Sequence, residues 1–357
     1  MKSGEKAGGQ PKKEGFHVRI VAILAIIILL CGPSPAFGGW FFGKKTTEPV
    51  EKVTIGTRPG VITCLVWVAE AKGFFKEEGL DVTLKSYSSG KWALKGLLND
   101  EVDVATTSEV PVVFNSFNRR DFLVFSTISY TDNEPKIIAN KDRDINEASD
   151  LSGKKIATQK ASAVHFFLSL FLMQNYIPES EVELVYLKPD RLAPVLINGE
   201  VDAICMRDPY TQQAKDALGD NAVEFTAPGL YRKTFILVAM RDFIEKRPEA
   251  IEKILRAVIK AEGFTRKNPS EAMAIIARIS GLKKEQIAAI WDNFDIRVLL
   301  EQSLLISMED EARWAVERGF TDKVEVPNYL DFIYFDGLKA VRPDSVTVIH
   351  EKNTYED

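Results

Sequence analysis

"NGEVDAICMRDPYTQQA", Asn198–Ala214, has a counterpart 99 positions earlier in "NDEVDVATTSEVPVVF", Asn99–Phe114. Each follows a leucine-bearing run with helical spacing, "LAPVLI" at 192–197 and "LKGLL" at 94–98. In both, an acidic turn leads into a short apolar run of the composition that suits a buried strand. The chain therefore writes helix, acidic turn and strand twice, about one small domain apart. Two similar α/β lobes account for such a repeat. Asp103 and Asp202 then recur as parts of a turn. General acid–base chemistry, which needs two carboxylates with separated pKa values, is not required to explain them.

The same alternation extends outward from the repeat. "KVTIGT" (52–57) is β-rich and is ended by Pro59-Gly60. "CLVWVAEAK" then places Leu65, Val68, Ala69 and Lys72 on one helical face, closed by Gly73. "DVTLKSY" (81–87) alternates as a strand, "SSG" (88–90) breaks it, and "KWALKGLL" begins a helix. The second half offers a strand-like connection at 134–141, a strand at "KKIATQ" (154–159) and an apolar helix at 162–176. "VELVYL" (182–187) and "PDRLAPVLINGE" (189–200) supply the next strand and helix. Strand–helix units of this length predict parallel sheets with helices on their faces. After Tyr231 the texture changes. "KTFILVAM" (233–240) is a strand that carries the chain back to the first lobe, and mostly helices follow. One sets Ile251, Ile254, Leu255 and Val258 on a single face. The next has Asn268 as N-cap, Pro269 at its first position and Gly281 past its end.

A chain of 357 residues suits two domains. Its formal net charge of −5 gives no global attraction to nucleic acid, and none is expected as a partner. Lys2, Lys6, Lys12, Lys13 and Arg19 precede the apolar run Ile20–Cys31, and "GPSPAFGG" follows it. A positive lead, a short greasy core and small residues at a break are the marks of an export signal. The run is shorter than the roughly 20 residues that span a bilayer, and Pro33 and Pro35 end it. Residues 1–36 are thus expected to be a signal peptide, cleaved after Ala36 or Gly38, or else retained as an anchor. Leu30 disfavours a lipoprotein at Cys31. Residues 37–52 read as a linker and 350–357 as a tail. Loss of 1–36, with five basic and two acidic residues, leaves a net charge of −8. Cys64 and Cys205 are expected to be separate free thiols. No Cys/His spacing suggests a metal, and no cofactor is expected.

Six stretches, in order, resemble solute-binding proteins of ABC importers in the nitrate/sulfonate/taurine class. They are "VAEAKGFFKEEGLDV" (68–82), "SSGKWALKGLLNDEVDVA" (88–105), "DLSGKKIATQKASAVHFFL" (150–168), "INGEVDA" (197–203), "DPYTQQA" (208–214) and "NYLDFIYFDGLKAVRPDSVTVI" (328–349). The resemblance spans roughly 53–349. It implies a periplasmic-binding-protein type II fold: two α/β lobes with a ligand cleft, two crossing hinge strands and a helical C-terminal part. Lobe 1 would comprise 53–138 and 235–349, and lobe 2 would comprise 139–234, with "KIIANK" and "FILVAM" as the hinge strands. It further implies a periplasmic or extracytoplasmic monomer that passes a small-molecule ligand to an ABC permease in the membrane without chemistry. A pyrimidine-forming enzyme of thiamine biosynthesis resembles the same family, but it depends on a cysteine-rich motif and a histidine-rich site. After the signal this chain has only Cys64, Cys205, His165 and His350. A membrane-tethered ligand sensor is a third reading.

Ligands of open parallel sheets bind beyond the carboxyl ends of strands, where helix N-termini offer unpaired N–H groups to anions. Four stretches fit: "TRPGVITCLVW" (57–67), "SSGKW" (88–92), "QKASAVH" (159–165) and "MRDPY" (206–210). Arg58 either faces a carboxylate or sulfonate or is a solvated loop residue. Trp67 floors the cleft or joins the core. Ser88, Ser89 and Gly90 form an oxyanion nest or a plain turn, and Trp92 could stack on the ligand. Ser162, N-cap-like and beside Lys160, is the leading candidate. His165, in the first turn of its helix, is either a neutral ligand contact or core. Asp208, next to Pro209 and Tyr210, receives a ligand amine or locks a helix start; Glu109 in "SEVP" has the analogous place and the same ambiguity. Arg58, Lys91, Lys160 and Arg207 favour a small organic or inorganic anion. Trp67, Trp92, Tyr130, Phe166, Tyr210 and Tyr231 leave a pyrimidine or other heteroaromatic as the alternative.

Overall fold

The computed structural model describes residues 50–349. The expected export signal, its cleavage points, Cys31, most of the 37–52 linker and the 350–357 tail lie outside the described residues. The strands in chain order are β1 (Glu51–Thr57), β2 (Leu80–Ser86), β3 (Val104–Ser108), β4 (Phe122–Thr131), β5 (Lys136–Asn140), β6 (Lys155–Thr158), β7 (Glu183–Tyr186), β8 (Ala203–Met206), β9 (Ala222–Phe225), β10 (Lys233–Met240) and β11 (Phe294–Asp295). They form two sheets, ordered β11-β4-β10-β3-β1-β2 and β7-β6-β8-β5-β9. Each is built on one plan. A parallel trio, β2-β1-β3 or β7-β6-β8, is extended by an antiparallel strand, β10 on β3 or β5 on β8.

The repeated phrase is the hinge pin of that plan. Asp103 Oδ2 accepts the amide of Thr54 at 2.7 Å, and Asp202 Oδ2 accepts the amide of Lys155 at 2.8 Å. The amide of Asp103 donates to Thr54 O, and that of Asp202 to Lys155 O, both at 2.9 Å. Each aspartate thus satisfies both backbone groups of a residue in the neighbouring strand where the ladder begins, its main chain taking the carbonyl and its side chain the amide, which a side chain without an acceptor at this reach would leave open. The turn before it is left-handed in both copies, at Asp100 (φ 58°) and Gly199 (φ 69°). A Cβ is unfavourable there. Asp100→Gly is expected to raise the unfolding free energy by about 0.5 kcal/mol, and Gly199→Ala to lower it by about 1 kcal/mol. Denaturant melts of the two variants check the opposite signs.

β4 is buried along its length except at Tyr130 and pairs with β10 over eight positions. Covered on both faces, it carries no polar–apolar alternation. The expected change-over points, 138/139 and 234/235, fall inside β5 and β10. All of β5 pairs in the second sheet and all of β10 in the first. The chain therefore passes between the sheets in segments 132–135 and 226–232, outside "KIIANK" and "FILVAM". The first strand starts at Glu51, within the segment read as a linker.

The helical part closes both cores. Helix Pro248–Lys267 buries Ile251, Ile254, Leu255 and Val258 in the first. Helix Pro269–Ser280 has Asn268 at its cap position, but the Asn268 amide donates back to Phe264 O at 3.2 Å instead of capping. Helix Gln302–Glu317 puts Leu304, Leu305, Met308 and Ala312 in the first core and Trp314 and Ala315 in the second. Cys64 and Cys205 are buried free thiols in separate cores. Burial pushes the Cys64 thiol up to about 12, so it carries no reactive thiolate at neutral pH.

Candidate functional site

The carboxyl ends of both parallel trios face one cavity of about 320 Å³, its open mouth included. From the first lobe Arg58 follows β1, Ser89, Gly90 and Lys91 follow β2, and Ser108 ends β3. From the second, Gln159 and Ser162 follow β6, and Arg207 follows β8. Among the described residues, three side-chain hydrogen bonds join the loops of the two lobes at the cavity. Lys91 Nζ donates to Lys160 O at 2.5 Å, Gln159 Nε2 to Ser89 Oγ at 2.9 Å, and an Arg207 terminal nitrogen to Ser88 O at 3.1 Å. The lobes are drawn together around the cavity.

Two helices begin at its wall. Ser89 caps helix Gly90–Leu98 by accepting the Trp92 amide at 3.4 Å. Gly90 is sterically required, since a Cβ would stand 2.8 Å from Thr107 Cα and 2.9 Å from Phe235 Cζ. Ser162 holds the N-cap position of helix Ala163–Gln174 without capping it, because its Oγ donates to Gln159 O at 2.5 Å. The first-turn amides of that helix therefore have no side-chain acceptor. With the positive end of the helix dipole behind them, they suit an anion.

The charges point the same way. Arg58, Arg207 and Lys233 all line the cavity and are only 3%, 5% and 2% exposed; Lys91 joins them. Glu134, from the first passage between the sheets, pairs with both Arg58 and Lys233. Arg207 has no carboxylate among its hydrogen-bond partners, and its second terminal nitrogen is buried without any partner. Burial, then the Arg58 charge, holds the Arg207 guanidinium well below its usual range. Burial brings Arg58 down to about 10 against the opposing pull of Tyr210 and Asp208. Lys91 falls to about 8 through burial and the charges of Lys160 and Lys95. Lys233 is also lowered well below its usual range, by burial and then by Arg58. Leaving a cation buried and unpaired costs several kcal/mol. An anion in the cavity would give Arg207 the counter-charge it lacks and add to the charge balance of Arg58, Lys91 and Lys233.

A family model described as "NMT1/THI5 like" matches residues 63–272, more than half of the chain. The chain belongs to this family. It is similar to a putative aliphatic sulfonates-binding protein of Bacillus subtilis, 25% identical over 321 residues, with 87% of this chain and 94% of that protein covered. It is also 25% identical to the taurine-binding periplasmic protein of Escherichia coli, covering 62% and 72% of the two chains. Among solved structures, the alkanesulfonate-binding protein of Xanthomonas axonopodis pv. citri bound to MOPS superposes with a TM-score of 0.71. There the identity is 17%, and 81% of this chain and 99% of that one are covered. The nitrate-binding protein of Synechocystis gives 0.64 at 12% identity, with 82% and 89% covered. The fold is that of the type II periplasmic binding proteins.

Within this NMT1/THI5-like fold, the cavity gathers Arg58, Ser89, Gly90, Lys91, Ser162 and Arg207 from the residues read from sequence. The others sit elsewhere. Trp67 is partly buried against the first core and donates its indole N–H to Arg58 O at 3.1 Å, bracing the backbone behind that guanidinium. Ser88 contributes its carbonyl to the Arg207 bond. Trp92 is stacked by Lys95 and Lys188. His165 is fully buried among Tyr186, Trp314 and Phe320. Burial and the charges of Lys160, Lys91 and Arg318 bring it down to about 3, so it is neutral. Glu109 is buried beneath the second passage, accepting from Tyr231 and the Thr234 amide. Asp208 accepts from the Thr211 hydroxyl and lines an adjacent chamber, walled by Leu282, Ile287, Ile290 and Phe294 on the far side of Arg58. Tyr210 lies beside Arg207, whose guanidinium is 5.8 Å from its ring. Sequence reasoning missed Gln159, Lys233 and Glu134. The loop quoted as "QKASAVH" contained the first, but the other two enter only because both passages between the sheets converge on Arg58.

Proposed function

We propose that this protein is an extracytoplasmic receptor of an ABC importer. It captures a small anion between its lobes and delivers it unchanged to the membrane permease. The observation that carries this reading is Arg207, a buried guanidinium with one nitrogen unpartnered at the cavity where both lobes meet. The uncapped helix start at Ser162–Val164 and the cations Arg58 and Lys91 would complete the grip on the ligand's oxygens. Binding energy is then spent on lobe closure, which the three cross-lobe hydrogen bonds secure. The sulfonate, taurine and nitrate ligands in the names of similar proteins agree with such a site.

Thermal-shift titration against nitrate, methanesulfonate, ethanesulfonate, acetate, benzoate and neutral pyrimidines tests the reading. At least one anion is expected to raise the melting temperature in proportion to the logarithm of its concentration, worth about 2.7 kcal/mol at a hundred times Kd. Isothermal titration should give one site per chain. Stabilisation by the pyrimidines alone would sink the proposal.

A further inference from the structure

We infer that the cavity takes anions lacking an ammonium group and rejects zwitterions of the same length, an inference that rests on the anion-receptor reading above. Among the described residues, the charged groups that line the cavity are Arg58, Lys91, Arg207 and Lys233, with no carboxylate in the lining. Of the nearby carboxylates, Glu109 is buried behind Ser108 and accepts from Tyr231 and the Thr234 amide, and the other two belong to the adjacent chamber beyond Arg58, both engaged. Glu134 is shared by Arg58 and Lys233, and Asp208 accepts from the Thr211 hydroxyl. Four neutral oxygens at the cavity rim already take a donor. Ser88 O takes Arg207, Lys160 O takes Lys91, Gln159 O takes Ser162, and Ser89 Oγ takes both Gln159 and the Trp92 amide.

A ligand ammonium would therefore enter a field of four cations. To find a carboxylate it would have to take Glu134 from two partners that are themselves buried. Like-charge contact and a stranded buried cation both count against the wrong ligand, the usual physical means of exclusion. Asp208, the residue whose position after β8 suggested an amine receptor, is turned away from the anion's place, while its neighbour Arg207 is turned toward it.

Isothermal titration of the full chain with matched pairs at pH 7 tests this: ethanesulfonate against taurine, propionate against β-alanine, acetate against glycine. Adding the amine is expected to weaken binding at least 100-fold in whichever pair contains the better anion. Equal affinity within that pair, or tighter binding of the zwitterion, overturns the inference and leaves the anion reading standing. Binding by no anion of any pair, with neutral heteroaromatics bound, overturns both.

Discussion

Arg207→Met is expected to abolish anion binding while raising the melting temperature of the ligand-free protein. The two effects have one origin. The Arg207 guanidinium is buried, makes a single hydrogen bond to Ser88 O and lies near Arg58, whose charge further lowers its pKa. Methionine keeps a similar length and removes the buried charge. Replacement of buried ionic groups by apolar ones commonly stabilises by about 1–4 kcal/mol. The same change removes the one guanidinium at the cavity that has no protein carboxylate, and loss of a buried charged partner from a ligand costs about 2–5 kcal/mol. Affinity should fall at least 100-fold in isothermal titration. One of the three cross-lobe bonds also disappears, adding to the loss. A variant that binds as before would remove Arg207 from the site. A variant that melts lower than the parent would show that the guanidinium is not strained in the empty protein.

Arg207 also shows how much the sequence could disclose. The repeated phrase was readable because Asp103 and Asp202 solve the same local problem, closing a strand onto its parallel neighbour. A local problem leaves a local mark. The loops after β1, β2, β6 and β8, which line one cavity, were legible for the same reason, each being the end of a recognisable strand. Which side chain of a loop enters the cavity is a different matter, settled by one peptide's rotation. Arg207 and Asp208 are adjacent, yet one lines the cavity and the other lines the chamber behind Arg58. His165 stands in the first turn of a helix that begins at the cavity, but its ring is packed into the second core. β4 was silent because a strand covered on both faces has no alternation to read. Glu134 and Lys233 meet through the passages between the sheets, a contact over some hundred residues that no window of sequence contains.

Glu311→Gln is expected to flatten the pH dependence of stability between about pH 5 and 8. Tyr231, on the second passage between the sheets, points its hydroxyl at two carboxyl groups. Glu109 Oε1 is 2.8 Å away and Glu311 Oε1 3.1 Å away, all three residues being buried. One phenol proton cannot serve two carboxylates, and the second oxygen of each acid has no partner. Two ionised carboxylates sharing so small a dry space repel, so the pair retains a proton. Burial raises Glu109 to about 7 against the pull of the Thr234 amide, Tyr231 and Lys233. Glu311 is raised well above the usual carboxylate range by burial, then by Glu109, with Asp310 adding to it. Both folded values exceed the unfolded value of about 4.3, so the folded state holds more protons. The contribution to stability is full below about pH 4.5 and is lost as pH rises toward 7, a change on the order of 3 kcal/mol for a shift of this size. Glutamine fills the same space, offers the Tyr231 oxygen an N–H and never ionises, which also frees Glu109 to carry its charge. The variant should therefore be more stable than the parent at pH 8, by about 1–3 kcal/mol, and little different at pH 5. Denaturant melts at pH 5, 6.5 and 8 measure the two slopes. Parallel slopes for parent and variant would mean that the Glu109–Glu311 pair holds no shared proton.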